Sequence, residues 1–424
     1  MVLIQAHATA AIFTIAALAT AGVILRPFNL REAIWAFAGA LVLLALRLIS
    51  PPQALAGVAK GTDVYLFLFG MMLLAEIARE EGLFDWLAAV ATSHARGSAH
   101  RLFLLTYGVG TVVTIFLSND ATAVVLTPAV AAAVATARAK TPLPYLLICA
   151  FIANAASFVL PISNPANLVI YGSQMPPLLR WLPPYLLPSA LSIVPTYLAL
   201  RWTQRRALSE VIATEIARPA LSRSGKVAAL GLAATAAVLL ASSALDIQLR
   251  LPTAAAGVAT ATVVLISEGK RPWTALRNIA WGVLPLVAGL FFLVEALNTT
   301  GLIGAIVASL RDGVARSASL SAWGAGVGVA LISNLINNLP AGLIAGSAAQ
   351  AAQAPAEVSR AMLIGVDIGP NLSVTGSLAT ILWLAALRRE GHHVGFGTFL
   401  KLGIVVVPPA LILALASALL WAPR

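Results

Sequence analysis

The sequence predicts an all-α polytopic membrane protein: two inverted-topology repeats with about ten transmembrane helices, two re-entrant hairpins and two broken helices. Three observations carry this. Of 424 residues, 60% are apolar and only 10% charged, with a mean hydropathy of +0.91, whereas soluble domains are about a quarter charged. Apolar runs of span length recur along the chain, and polar clusters interrupt four of them. The two halves also repeat each other. So few charges exclude a soluble enzyme and a disordered regulator. A single cysteine, Cys149, excludes a disulfide scaffold and a thiolate metal cage.

A span needs roughly 17–20 apolar residues. Uninterrupted spans are placed at 8–25, 33–49, 63–79, 185–202, 227–245, 252–268, 281–299 and 402–421. The first has no basic n-region and is not a signal peptide. Segments 143–171 and 360–387 are spans broken by Pro, Gly and Asn. Stretches 102–137 and 321–353 are too long for one helix and carry polar residues at their centres. They read as hairpins with two short arms, which membranes tolerate only where the tip is buried in protein or lines a wet cavity.

Charge sets the orientation. With the N-terminus outside, the outer segments hold Arg47, Lys60, Arg180, Arg250, Arg311, Arg316, Arg360 and Arg424, and the other nineteen of the 27 bases lie inside. Both termini are then outside a cell's inner membrane. The net charge of +11 is therefore a topology signal and not a nucleic-acid surface. The organisation follows as an N-terminal repeat 1–200, a basic cytoplasmic loop 201–226 that can face anionic headgroups, and a C-terminal repeat 227–424. A shift of 219 pairs Gly70 with Gly289, Glu76 with Glu295, Gly82 with Gly301 and Asn119 with Asn338. The two copies run in opposite directions. Inverted repeats with broken helices meeting at mid-membrane are a secondary-transporter architecture.

Four polar clusters mark the candidate site: 117–128 with Ser118, Asn119 and Asp120; 154–167 with Asn154, Ser163, Asn164 and Asn167; 333–340 with Asn337 and Asn338; and 367–377 with Asp367, Asn371, Thr375 and Ser377. Pro and Gly beside amides and hydroxyls break helices and free backbone N–H and C=O groups at the broken ends, where Asn164 and Ser377 can cap. The substrate contacts are assigned to Ser118, Asn119, Asn164, Asn167, Asn337, Asn338, Thr375 and Ser377, with Asn154, Ser163 and Asn371 as secondary candidates.

Ionisable residues at membrane depth cost at least about 2.5 kcal/mol and mark function. Asp120, in the tip itself, is the first candidate for a proton carrier. Asp367 either shares that role or fixes its broken helix by accepting backbone N–H bonds. Glu76 and Glu295 are further secondary candidates: they either snorkel towards the inner and outer faces respectively or take part in coupling. The histidines lie in loops or near a terminus, and the His392–His393 pair has no third ligand nearby, so no metal site is expected. No GxxxxGK[ST], HExxH or CxxC motif occurs, so this chain is not expected to be an ATPase by that route, or an enzyme.

The runs LSNDATAVVLTP (117–128), FIANAASFVLPISNPANLVIYG (151–172), SNLINNLPAG (333–342) and GVDIGPNLSVTGSLATILW (365–383) resemble the arsenite/antimonite efflux permeases of the ion transporter superfamily, in length and motif order from first span to last. The resemblance implies export of arsenite or antimonite as the neutral trihydroxide in exchange for protons, with no cofactor beyond the proton gradient. It also implies a partner in some members, a cytosolic arsenical ATPase, and a homodimer as is common among superfamily relatives. Some relatives carry an acid where Asn154 stands and a base where Asn371 stands, which shifts the proton role onto Asp120 or Asp367. Competing readings are a sodium/proton antiporter and a dicarboxylate or other anion transporter; the latter wants a base in the pocket, and every Lys and Arg falls in a loop or near a span end. In a background lacking Cys149, the topology predicts that Glu210→Cys and Arg250→Cys react with an impermeant maleimide from opposite faces; labelling from one face overturns the layout.

Overall fold

The computed structural model describes residues 2–214, 220–269, 272–279 and 281–420. Of the bases counted above, Arg218, Lys270, Arg271 and Arg424 lie outside the described residues. Among those described, twenty helices alternate with short turns and one isolated bridge between Ser98 and Val211. They fall into two sets of ten. The first set is α1 Val2–Leu25, α2 Glu32–Ala45, α3 Pro51–Ala59, α4 Thr62–Glu80, α5 Leu83–His94, α6 Ala99–Phe116, α7 Asn119–Thr136, α8 Leu143–Ala155, α9 Pro165–Tyr171 and α10 Leu178–Thr203. The second is α11 Arg223–Ala244, α12 Arg250–Ser267, α13 Pro272–Asn278, α14 Val283–Thr299, α15 Leu302–Arg316, α16 Ala318–Ile336, α17 Asn338–Ala352, α18 Ala356–Ile368, α19 Leu378–Arg389 and α20 Phe396–Leu420.

Each helix of the first set has its counterpart ten places on, so the repeat extends well beyond the short match found in the sequence. Packing follows the same rule. Within the halves, α1 packs on α2 as α11 does on α12, and α6 on α8 as α16 does on α18. Between them, α2 meets α14 while α4 meets α12, α9 meets α17 while α7 meets α19, and α10 meets its own counterpart α20. Reciprocal contacts of this kind are the signature of a twofold relation.

Seven helices among the described residues are long and apolar enough to cross a membrane, or nine if the bent pairs α3–α4 and α14–α15 each count as one span. Three of the seven are the hairpin arms α6, α7 and α16, so more than one expected span fails to qualify. The helix α2 has only 14 residues, the proline-rich α10 is not among the qualifying helices, and both broken spans are divided into halves too short to count. The short-armed hairpins need correction. The arms α6 and α7 have 18 residues each and α16 has 19, about 27 Å of helix or more at 1.5 Å per residue. The span expected at 185–202 begins instead at Leu178 and runs through Pro183, Pro184, Pro188 and Pro195. Proline is tolerated in a membrane helix whose freed carbonyls find partners in its neighbours, and the packing partner α20 carries Pro408 and Pro409 in turn. The expected layout also omits α3, whose start is fixed by a capping box between Ser50 and Gln53.

The described start of the connection between the halves, up to Thr214, is tied down. Ile212 N donates to Gly97 O (3.2 Å) and Ala213 N to Ala137 O (2.9 Å). The Glu210 carboxylate accepts from the backbone N–H of Lys140 (3.2 Å) and Thr141 (3.4 Å).

Small residues let the central helices touch. A Cβ added at Gly365 would overlap the Gly326 carbonyl oxygen, so α16 and α18 pack backbone to backbone. Gly365→Val should destabilise the fold by about 2 kcal/mol or more. Gly108→Ala, with nothing within 4 Å of the new Cβ, should not. Melting temperatures in detergent check the contrast.

Candidate functional site

The two broken spans cross and interlock at their breaks. The helices α8 and α18 both stop before a proline-containing 3-10 turn, Pro161–Ser163 in one half and Gly369–Leu372 in the other. Asn154 and Asp367 occupy matching places in the last turns of α8 and α18, and each reaches into the other half's break. Asn154 Nδ2 donates to Asn371 Oδ1 (2.9 Å) and Thr380 Oγ1 (3.2 Å), while Asn371 Nδ2 donates to Phe151 O (2.8 Å). Asp367 Oδ1 accepts from Asn164 Nδ2. Asn164 in turn caps α9 by accepting from Ala166 N (3.0 Å), as Ser377 caps α19 by accepting from Thr380 N (3.0 Å). Asp367 is thus held by a side-chain amide, and the alternative reading of it, as an acceptor of backbone N–H bonds, is not what the structure has. Asn154 and Asn371 touch each other as a neutral amide pair.

The hairpin tips dock on these breaks. Ser118 caps α7 by accepting from Ala121 N (3.1 Å). Directly after Asn119 and Asp120 the chain widens into a π-turn over Thr122–Leu126, just ahead of Pro128, which has no N–H to continue the α-pattern. In the second hairpin Asn337 caps α17 by accepting from Leu339 N (3.3 Å), and Asn338 N donates to Gly376 O (2.8 Å). Asn337 does this at φ 76°, ψ 153°, a region normally left to glycine that costs about 1–3 kcal/mol. Thr375 spends its hydroxyl on Asn334 O (3.1 Å), and Ser163 donates to Ile115 O (2.8 Å). Both therefore fasten tips to breaks. Asn334 is the residue missed in the sequence, since it donates to Gly369 O (2.9 Å) and accepts from Ser373 Oγ (2.9 Å). Its place one turn before the tip was the available signal.

Five buried side-chain oxygens in these segments have no hydrogen-bond partner: Asn119 Oδ1, Asn154 Oδ1, Asn167 Oδ1, Asn338 Oδ1 and Asp367 Oδ2. Four of them are two symmetry-matched pairs, Asn119 with Asn338 and Asn154 with Asp367. An orphaned buried acceptor costs about 1–3 kcal/mol and calls for a donor.

A cavity of about 960 Å³ leads to the first tip, and Ser118, Asp120, Pro165 and Leu378 are among its lining residues. Asp120 is half-buried, faces this space and makes no hydrogen bond or ion pair among the described residues. Asp367 does not line it. It lies behind Asn164, the residue before Pro165. Arg26, Arg31, Arg79, Arg277 and Arg389 also line the cavity, all bases that the charge distribution places inside. The expectation that bases stay clear of the pocket is therefore corrected: they surround its mouth, because span ends of both halves converge there. Burial and then Arg388 lower Arg26 to a pKa of about 10, and Arg26 pairs with Glu32. Glu76 also lines the cavity and is paired with Arg79 (Nε 2.9 Å). Its counterpart Glu295 is bound across the halves by Lys60 (2.6 Å), beside a second cross-half pair, Asp63–Arg250 (2.6 Å). Both glutamates are thus ion-paired and not merely snorkelling.

Residues 12–365 match the family model CitMHS, described as citrate transporter. Among curated proteins, the chain is 26% identical to the "Arsenical pump membrane protein" of Yersinia enterocolitica, over 82% of this chain and 83% of that one. It is 27% identical to the protein of that name from Escherichia coli K12, with the same coverage. A "Putative arsenical pump membrane protein" of Bacillus subtilis is 25% identical over 93% of this chain and 96% of its own. The crystal structure of the Alcanivorax borkumensis YdaH transporter, described as having an unusual topology, superposes with a TM-score of 0.56 over 87% of each chain at 14% identity.

The Asn154–Asn371 contact predicts a coupled pair. Asn154→Asp alone buries an uncompensated charge and should cost about 3–5 kcal/mol, lowering folded yield on gel filtration. Adding Asn371→Lys should recover most of it. Additive losses would mean the two positions do not interact.

Proposed function

The chain belongs to the CitMHS citrate-transporter family of the ion transporter superfamily, and from that premise we propose that it exports trivalent arsenite or antimonite, as the neutral trihydroxide, in exchange for protons. The observation that carries the substrate class is the set of five unpartnered buried oxygens at the tips and breaks. A trihydroxide brings three O–H donors to these unpartnered acceptors. The one cysteine, Cys149, is buried in α8, so three-thiolate chelation within the chain is excluded and release stays easy. The arsenical-pump names of the relatives support the same substrate class.

A membrane potential does no work on a neutral solute, whereas each proton moved gains about 2.3 kcal/mol per 100 mV. Uphill export therefore needs the coupled ion. In the orientation set by the charge distribution the cavity opens to the cytoplasm. Substrate enters past the arginine mouth and settles among Asn119, Asn164, Asn167 and Asn338. Asp120, facing the cavity without a partner, gives its proton to the cytoplasm as substrate loads. Asp367, behind Asn164, holds the proton taken up from outside as substrate leaves. The two carboxyls thus divide the route between the two faces. The arginine mouth favours a second reading, a carboxylate substrate, which the same experiment separates.

Proteoliposomes carrying a pH dye test this directly. Arsenite or antimonite should move protons, and neither sodium nor succinate should. A response to sodium alone or to succinate alone reassigns the site to a cation or a carboxylate. Asp120→Asn should abolish arsenite-driven proton movement. Asn338→Leu should raise the arsenite KM at least about tenfold, the value of one good hydrogen bond.

A further inference from the structure

The helices α9 and α18 lie side by side, and both run from the site to one face of the protein. At the inner end of the seam, Asn164 caps α9 and holds Asp367 of α18. Seven residues along each helix, about 10 Å away, stand Tyr171 and Arg360. The charge distribution places that end at the outer face. The Tyr171 hydroxyl lies 2.6 Å from the hydroxyl of Tyr185 on α10. Tyr185 is 1% exposed and Tyr171 half-buried, so the pair steps from the outer end inward.

The other buried tyrosines use their hydroxyls as anchors. Tyr107 donates to Ile193 O (2.6 Å) and Tyr145 to Ala99 O (3.4 Å). Tyr171 and Tyr185 bond only to each other among the described residues. In that bond one hydroxyl donates, and the proton of the other has no acceptor among the described residues. Asp367 Oδ2, on the same seam, has no donor. A spare donor and a spare acceptor thus belong to the same group of packed helices. The rings do not need the hydroxyls to hold their place: Trp181 packs 4.3 Å from Tyr185 and 5.6 Å from Tyr171, and Phe158 flanks Tyr185 at 6.2 Å.

We infer that the Tyr171–Tyr185 hydroxyl pair is a proton relay between the outer face and Asp367. The inference rests on the proton-coupled reading above. A phenol both donates and accepts, so the relay conserves protons at each step. Water at the outer face gives a proton to Tyr171 Oη, whose own proton passes to Tyr185 Oη. The Tyr185 proton passes, through water in the gap, to the Asp367 carboxylate. Both phenols finish neutral, and rotation of their hydroxyls resets the chain. No bond other than O–H forms or breaks.

Tyr171→Phe and Tyr185→Phe keep the packing and remove the relay. Two fluxes are measured in proteoliposomes: proton movement driven by an arsenite gradient, and exchange of labelled for unlabelled arsenite at equal pH on both sides. Each variant should slow the coupled flux at least about tenfold, a modest share of what positioned proton-transfer groups contribute, with exchange at the wild-type rate. Coupled flux unchanged in both variants overturns the relay, as does an equal loss of both fluxes, which would assign the tyrosines to positioning. A wild type that exchanges arsenite without moving protons overturns the coupling itself, and the relay with it.

Discussion

Within the hydrocarbon core there is no water to satisfy a free backbone N–H or C=O, so each helix break has to be satisfied by another part of the protein. The structure is organised around that constraint. Each hairpin tip is capped by its own Ser118 or Asn337, and each broken helix by Asn164 or Ser377. The remaining groups are met across segments: Asn338 N on Gly376 O, Asn334 Nδ2 on Gly369 O, and Asn371 Nδ2 on Phe151 O. The breaks can exist only because neighbouring segments, within a half and across the two halves, supply the missing partners. Where that supply stops short, five buried oxygens in these segments are left without a donor.

The twofold relation makes its own exceptions informative. Amides keep the symmetry at Asn119 and Asn338, and the caps keep it at Asn164 and Ser377. The acids do not. Asp120 is matched by Leu339, and Asp367 by Asn154. A symmetric frame suits a solute that must be held equally well from either side. A directed proton route needs ionisable groups at unlike places, one facing the cavity and one buried behind it. The glutamates follow the same division, with Glu76 in the cavity beside Arg79 and Glu295 locked across the halves by Lys60.

Much of this was legible beforehand. The polar clusters at 117–128, 154–167, 333–340 and 367–377 all fall at tips or breaks, because Pro, Gly and Asn inside apolar runs leave few other conformations open. The arm lengths were not legible, since an apolar run does not show where in the bilayer its helix begins. Nor was α3, which a capping box starts between two spans. The role of Asn334 depended on Gly369 and Ser373, more than thirty residues away. The arginines at the cavity mouth looked like ordinary loop charges until span ends from both halves were brought to one opening.

By itself, the sequence determined the solvent, the helical class, the repeat and the places where helices break, because each follows from local composition and from the cost of polar groups in lipid. Only the tertiary structure decided who meets whom. It set Asn154 against Asn371, put Asp367 under Asn164 rather than on a backbone N–H, and left Asp120 facing the cavity alone. Those pairings join residues some two hundred positions apart in the chain. They depend on how two crossing helices are rotated and docked, which no spacing along one chain specifies.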